Sequence, residues 1–436
     1  MRRAWGRALF GLALGLASVA MAETRLPQPL SLVDALAFAD EEHPAVARGR
    51  ADVLRGEAER LAADSANDLL VGLRLNARWV DPNDVAPDQS HNDSQAILRL
   101  SKPLYDFGRT SHALEAADTA LRSSEEQYLG LMARQRVEIM RRYFEVLLAD
   151  LAYTRDNEAM AIAFVSLDRA RHRNELGQVS DIDLLALEDH FQETRLRRMA
   201  SLQETRSARN RLAMALNRPE NVPADLLRPE LPGNDRELPD LDELYALAEA
   251  GNRRLASLRL EAQAVSQRLA ASRAERRPTL SAEVEATHYE RLLGSRDPLA
   301  AGLVLDIPLY SGRRVDASVA RQQAELYDTH ARIRQHELDL RQAVLETWLE
   351  IQRLRTRREQ ARVRSDYREL YLDRSRALYE LEVQTDLGDS MTQWSAAMLF
   401  AAQAEFELAL AWERLALLTG QPAFSPVYAT RAMGTP

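Results

Sequence analysis

The feature that most limits what this chain can fold into is a short motif that occurs twice. Lys102-Pro103-Leu104-Tyr105-Asp106-Phe107-Gly108-Arg109 has a second copy in Asp306-Ile307-Pro308-Leu309-Tyr310-Ser311-Gly312-Arg313, the earlier copy being one residue longer before its glycine. Each copy closes an apolar run with proline, adds an aromatic, and reaches a glycine that opens a long proline-free segment. Proline donates no ladder hydrogen bond and suits a strand end, while glycine accepts the backbone angles of a tight turn. Pro103, Tyr105 and Gly108, with Pro308, Tyr310 and Gly312, are thus predicted to form two strand-to-helix corners.

Before each corner the sequence alternates. Val71, Leu73, Leu75, Ala77 and Trp79 interleave with Gly72, Arg74, Asn76 and Arg78, and Ala96, Leu98 and Leu100 oppose Arg99 and Ser101. Leu280, Ala282, Val284 and Ala286 interleave with Ser281, Glu283, Glu285 and Thr287, while Ala301, Leu303, Leu305 and Ile307 share one face. Period two predicts strands with one apolar and one polar face. Polar loops at 81–93 and around Gly294 to Asp297 join them in pairs. Trp79 and Tyr289 fall at the loop ends of two strands, Tyr105 and Tyr310 at the corner ends.

After each corner the period turns helical. Val137, Met140, Phe144, Leu147 and Leu151 keep the spacing of a coiled-coil seam, and Tyr143 and Val146 add apolar surface beside it for more than one neighbouring helix. Roughly 60 residues from the corner to Gly177 predict a helix about 90 Å long. Gly177-Gln178-Val179-Ser180-Asp181 predicts a reversal, with Ser180 or Asp181 capping a helix that returns to about Asn217. The second half repeats this with Leu340, Val344, Ile351 and Leu354, a reversal between Glu382 and Asp389, and an end at Gly420-Gln421-Pro422. A helix also precedes each hairpin. The first has Ser31 as cap, Asp34 at the capping-box position and a kink or restart at Pro44; the second resumes at Leu241.

The halves match piece by piece. Leu32, Ala39 and Val46 correspond to Leu241, Ala248 and Leu255, and Asn217-Arg218-Pro219 to Gly420-Gln421-Pro422. The expected organisation is a first repeat over 23–219, a proline-rich linker over 220–239 with Pro223, Pro229, Pro232 and Pro239, a second repeat over 240–422, and a tail over 423–436.

Residues 1–22 read as a cleaved export signal: Arg2, Arg3 and Arg7 precede an apolar run from Ala8 to Met21, and Ala20-Met21-Ala22 supplies a cleavage site. The run is shorter than the roughly 20 residues of a membrane anchor. Losing those three arginines takes the formal charge from −9 to −12, which argues against a nucleic-acid partner. The many arginines alternate with Glu and Gln, as on a solvated, salt-bridged helical face. Cysteine is absent, so disulfides, thiol catalysis and lipidation of a cysteine are excluded.

In an exported chain, paired and duplicated strands with one apolar face fit a membrane barrel. Four strands cannot close one, because the smallest use about eight. An open edge in lipid leaves backbone groups unsatisfied at several kcal/mol each. Subunits must then share one barrel, with the long helices continuing away from the membrane.

The duplicated plan, the Pro-Leu-Tyr corners and the reversal Arg173-Asn174-Glu175-Leu176-Gly177 with Asp183 beyond it resemble the TolC-like outer-membrane efflux protein family, over about Leu32 to Pro422. The fold class expected is mainly α with a transmembrane β-barrel: long antiparallel helices in a periplasmic α-barrel, plus four strands per chain. The resemblance implies a homotrimer with a twelve-stranded barrel. It also implies a passive export duct of a Gram-negative outer membrane, serving a tripartite efflux or type I secretion system. Its partners would be outer-membrane lipid, a periplasmic adaptor and an inner-membrane pump. Arg173, Gly177, Val179 and Ser180, with Val383 and Thr385, become candidates for the adaptor-docking tip. Asp181, Asp183, Asp386 and Asp389 become candidates for a charged gate, repeated around the axis. The competing role for the aspartates is helix capping. The chain departs from the family pattern at Gly388, which stands where Asp183 stands in the first repeat.

No phosphate loop, dinucleotide fingerprint or serine-nucleophile elbow is present. His330 and His336 are six apart and fall on different faces of a helix, so neither a metal nor another cofactor is expected, nor an enzyme. The alternative of a different class is a soluble periplasmic coiled-coil scaffold or adaptor, which would stay in solution without detergent.

Overall fold

A computed structural model of the chain describes residues 26–40, 43–291, 297–381 and 386–421. The export signal, the 294–296 part of the second loop, Val383, Gln384 and Thr385 of the second reversal, Pro422 and the tail lie outside the described residues. In chain order the elements are α1 (Leu32–Ala37), α2 (Pro44–Ser65), β1 (Leu70–Asn76), β2 (Gln95–Tyr105), α3 (Arg109–Glu175), α4 (Asp181–Ala215), α5 (Leu241–Gly251), α6 (Arg253–Ala274), β3 (Thr279–Tyr289), β4 (Leu299–Asp306), α7 (Arg314–Glu380) and α8 (Leu387–Thr419). The duplication is visible in the lengths: α2 and α6 have 22 residues each, α3 and α7 have 67 each. At 1.5 Å per residue the long pair reaches about 100 Å.

Side-chain caps start these helices where the sequence places them. Ser31 Oγ accepts from Asp34 N at 3.1 Å, the N-cap bond, and donates to Asp34 Oδ2 at 2.6 Å. Pro44 is a restart rather than a kink, since it sits in the first turn of α2 and its missing N–H costs nothing there. Arg141 and Arg142 bridge Glu138 and Glu145 along α3. Such pairs hold a solvated face with about 0.3–0.5 kcal/mol each.

Two corners of one shape join the sheet to the long helices. Phe107 and Gly108 (φ 56° and 94°) precede α3, and Gly312 and Arg313 (φ 61° and 59°) precede α7. Counted from the shared Pro-Leu-Tyr, both left-handed pairs and both helix starts fall at the same place. The first copy is therefore not longer, as its glycine spacing implied; glycine merely occupies the second left-handed position in one copy and the first in the other. Pro103 also fails to end its strand. β2 continues to Tyr105 through a register shift between Pro103 and Tyr105, which absorbs the missing donor as a bulge. Pro308 lies beyond the end of β4.

Packing divides into two apolar clusters, one per repeat, that meet on α8. The first gathers Leu30, Leu32, Ile139, Met140, Tyr143, Phe144, Val146, Leu212 and Phe406. The second gathers Leu244, Leu255, Leu340, Val344, Ile351, Leu354, Trp412 and Leu415. On α3 the seam residues Met140 and Phe144 are buried together with Tyr143 and Val146 beside them, and Ile139 joins them, because α3 is covered by α2, α4, α6 and α8. Phe144 stacks on Phe406 with ring centroids 4.4 Å apart.

The proline-rich segment is fastened at both ends by aromatics that occupy the same place in the two long helices. Tyr143 Oη shares its one proton between Leu30 O (2.8 Å) and Leu227 O (2.6 Å), and burial pushes its pKa up, so it stays a donor. Trp348 Nε1 donates to Pro239 O at 3.1 Å. Between them Leu30 and Leu226 form a parallel bridge, Asn234 Nδ2 donates to Glu405, and Arg236 lies over the Trp412 ring at 4.8 Å. The segment is laced to the helices along its length.

Candidate functional site: the sheet and the helix tips

The strands form one antiparallel sheet in the order β1-β2-β3-β4, so the two hairpins are joined through β2 and β3, and β1 and β4 are edges. The register puts directly opposed residues on one face. Leu73 faces Leu98, Leu98 faces Ala286, Val284 faces Ala301, and Leu280 faces Leu305, which makes a continuous apolar surface. Arg99 faces Glu285 on the other surface and pairs with it at 2.7 Å; Arg74 and Glu283 share that surface. The predicted alternation thus survives across all four strands as two faces of opposite character. The bulge after Pro103 returns Tyr105 to the apolar side, opposite Leu280.

β1 is shorter than its alternation predicts. It ends at Asn76 because Asn92 Oδ1 accepts from Ser94 N at 3.1 Å, an Asx turn that breaks the partner strand. Ala77 and Val80 leave the ladder, and Trp79 keeps only a bridge to Asn92 and a stack on His91 at 5.3 Å. Arg78 pairs instead with buried Asp93. Beyond the ladder, Arg291 donates twice to Asp88 O, tying the 81–93 loop to the far end of β3.

At the opposite extremity α3 turns into α4. Gly177 has φ 71°, Gln178 N donates to Arg173 O at 2.9 Å, and Asn174 Nδ2 donates to Val179 O at 2.9 Å. Ser180 is the cap: its Oγ accepts from Asp183 N (3.2 Å) and donates to Asp183 Oδ2 (2.7 Å), while Asp181 accepts from Asn174 at 3.0 Å. Arg173, Gly177 and Ser180 are exposed and Val179 is half-buried. Sequence patterning missed the apolar residues beside them: Leu176, Ile182 and Leu185 are 60%, 80% and 64% exposed, and Leu381 at the second reversal is 72% exposed. Leucine or isoleucine facing water on a helix start was the available signal.

The second reversal is built differently. Asp386 stands at the N-cap of α8 without a side-chain cap bond; its carboxylate accepts instead from Tyr371 Oη (2.9 Å) and Ser375 Oγ (3.3 Å), which ties α8 to α7. Asp389 accepts from Gln393. Among the described residues no hydrogen bond joins these aspartates to Asp181 or Asp183, so one chain brings each pair to its own reversal and not together. Gly388 has a packing reason: a Cβ there meets Ile162 Cγ2 of α3 at 3.0 Å, so a side chain at this crossing requires Ile162 to shift.

The Tyr371 hydrogen bond holds the Asp386 carboxyl below the usual carboxylate range. A depressed carboxyl contributes above its ordinary pKa, about 3.9, and the contribution is lost as pH falls through the lower folded value. Hydrogen exchange in the turns around Tyr371 should accordingly accelerate below about pH 4 relative to neutral pH, once intrinsic rates are removed. Tyr371→Phe should flatten that acceleration; an unchanged pH response would remove the tie from consideration.

Among the described residues no group of three His, Cys, Asp or Glu side chains could hold a metal. No described helix is long and apolar enough to cross a membrane.

Paired helices of this length, running without a break into a sheet with one apolar face, are the fold of the TolC-like outer-membrane channels. No protein-family model and no curated protein matches the chain by sequence, but solved structures share its fold. The outer membrane protein VceC from Vibrio cholerae matches with a TM-score of 0.70 at 14% identity, over 90% of this chain and 97% of that one. The Campylobacter jejuni CmeC outer membrane channel matches at 0.73 and 12% identity, over 91% and 86%. The open state of the Neisseria gonorrhoeae MtrE outer membrane channel matches at 0.68 and 16% identity, over 90% and 89%.

Proposed function

We propose that this chain is the outer-membrane channel-tunnel of a tripartite efflux or type I secretion system of a Gram-negative bacterium, conducting substrate passively. The observation that carries this is a four-stranded sheet with two unpaired edges and one apolar face, fused directly to helices about 100 Å long. Three copies pairing β4 of one with β1 of the next satisfy both edges in lipid. The apolar face then meets lipid and the Arg99–Glu285 face lines water. The helices continue as a periplasmic tunnel, and the solved channels of this fold support that arrangement.

At the tunnel's far end we assign docking of a periplasmic adaptor, coupled to an inner-membrane pump, to Arg173, Gly177, Val179 and Ser180, and from the repeat in the sequence to Val383 and Thr385. Exposed Leu176 and Ile182 add apolar area to that tip. Threefold repetition of Asp181, Asp183, Asp386 and Asp389 makes rings of negative charge that favour cations. No cofactor and no catalytic residue is needed.

Planar-bilayer conductance tests the proposal. The wild type should open cation-preferring channels blocked by multivalent cations, and the triple substitution of Asp183, Asp386 and Asp389 by Asn should weaken both properties. Asparagine still accepts hydrogen bonds at a helix start, so the turns should persist. Unchanged selectivity and block would leave the aspartates as structural groups. A mature protein that stays in solution without detergent would defeat the channel itself.

A further inference from the structure

The corners carry a charge pattern that conduction does not use. Segments 102–109, 273–277 and 306–316 hold seven cationic side chains against four acidic ones, in a chain whose net charge is −9. Lys102, Arg277, Arg313 and Arg314 make no ion pair among the described residues. Of 57 basic residues only Lys102 is lysine, and it sits on the apolar face of the sheet, opposite Ala282. A lone ammonium there is an expense in hydrocarbon unless its stem can reach a polar layer. It lies three residues from Tyr105, about 10 Å along the strand.

That polar layer is marked by aromatics. The Tyr105 and Phe107 rings meet edge to face with centroids 4.6 Å apart, and Arg277 Nη1 donates to Phe107 O at 2.8 Å. In the other corner Leu309 and Tyr310 are 93% and 86% exposed, immediately before Arg313 and Arg314. Amphipathic rings gather at the headgroup level of a bilayer, and cations beside them attract anionic lipid.

We propose that the strand-to-helix corners form a binding surface for anionic glycerophospholipid headgroups of the leaflet on the helix side of the membrane. Lys102, Arg277, Arg313 and Arg314 supply the charge; Tyr105, Phe107 and Tyr310 supply the interfacial rings. The surface rests on the channel reading above. Phosphate is the recognised group, and the corner end of the sheet, away from the 81–93 loop, assigns it to phospholipid rather than to lipid A.

Lys102 gives a site-specific readout, because no other side chain carries an amine. Pairing with a phosphate favours the charged form and slows acylation. The assembled protein would be reconstituted in phosphatidylethanolamine vesicles, with or without phosphatidylglycerol, and acylation of Lys102 followed by mass. Phosphatidylglycerol should slow the reaction about fivefold, and substituting Arg277, Arg313 and Arg314 by Gln should erase most of that slowing. Phosphatidylglycerol should also be enriched, again about fivefold over bulk, in lipid retained by the purified wild type, even if Lys102 proves unreactive. Equal rates with equal retention, or an effect of lipid A without one of phosphatidylglycerol, overturns the surface and leaves the channel standing. A wild type that does not float with any vesicle overturns both.

Discussion

Arginine at Leu303 is expected to destabilise the assembled barrel by about 2–4 kcal/mol per copy, and arginine at the adjacent Val304 by little. The two residues are neighbours in β4, yet Leu303 lies opposite Ala282 on the apolar face and Val304 opposite Ser281 on the polar one. A guanidinium at Leu303 must give up water or thin the bilayer around it, whereas one at Val304 stays hydrated in the lumen. In the proposed trimer three copies share one barrel, so the loss multiplies. Denaturant midpoints of the vesicle-embedded protein measure it. Equal midpoints for the two variants would mean that the sheet does not separate lipid from water, and the channel proposal would fall with it.

Substitution at the junction of Gly251 and Gly420 is expected to cost about 3 kcal/mol or more. α5 ends at Gly251 against the last turn of α8, where a Cβ on either glycine would run into the other segment's backbone, Thr419 O or Gly251 O. Asn252 Nδ2 donates to Leu418 O at 3.1 Å beside it, so the segments cannot simply part. The sister position in the first repeat shows which property matters. Asn217 also has a left-handed backbone, φ 55° against 72° at Gly420, and there a side chain is tolerated. Gly420→Asn therefore satisfies the backbone angle and still clashes, while Asn217→Gly changes neither. Thermal unfolding of both variants separates the cases: a Gly420→Asn protein as stable as wild type would mean that the two segments are not in contact.

Much of this fold was legible because its patterns are long and repeated. β3 runs from Thr279 to Tyr289 as its alternation predicts, and Ser31, Ser180 and Gly177 perform the capping and turning their chemistry suggests. What escaped depends on contacts that no local pattern records. The glycine offset between the corners looked like an insertion, because left-handed angles at Phe107 and Arg313 leave no compositional trace. Gly388 looked like a lapse in the repeat until Ile162 of α3 was seen against it. The extra apolar surface at Tyr143 and Val146 pointed to more than one neighbour for α3, but Ile139 falls outside the seam spacing, and only the several covering helices account for its burial. At the tip, the aspartates were recognisable as helix-start residues, but whether they cap or tie helices together depended on Tyr371 and Ser375, more than ten residues upstream of Asp386.

The stack of Phe144 on Phe406 also constrains the timing of assembly. α8 supplies Ala402, Phe406 and Ala409 to the cluster that otherwise belongs to the first repeat. The first half leaves the ribosome before these residues exist. Until they arrive, Ile139, Met140 and Phe144 have an open flank, and until β3 is made β2 is paired on one side only, by β1. A chain released at the linker would therefore not be half a channel but an aggregation-prone fragment with an unfinished core and a bare sheet edge. The duplicated halves are covalent partners in a single folding event, and its last step waits for the last helix.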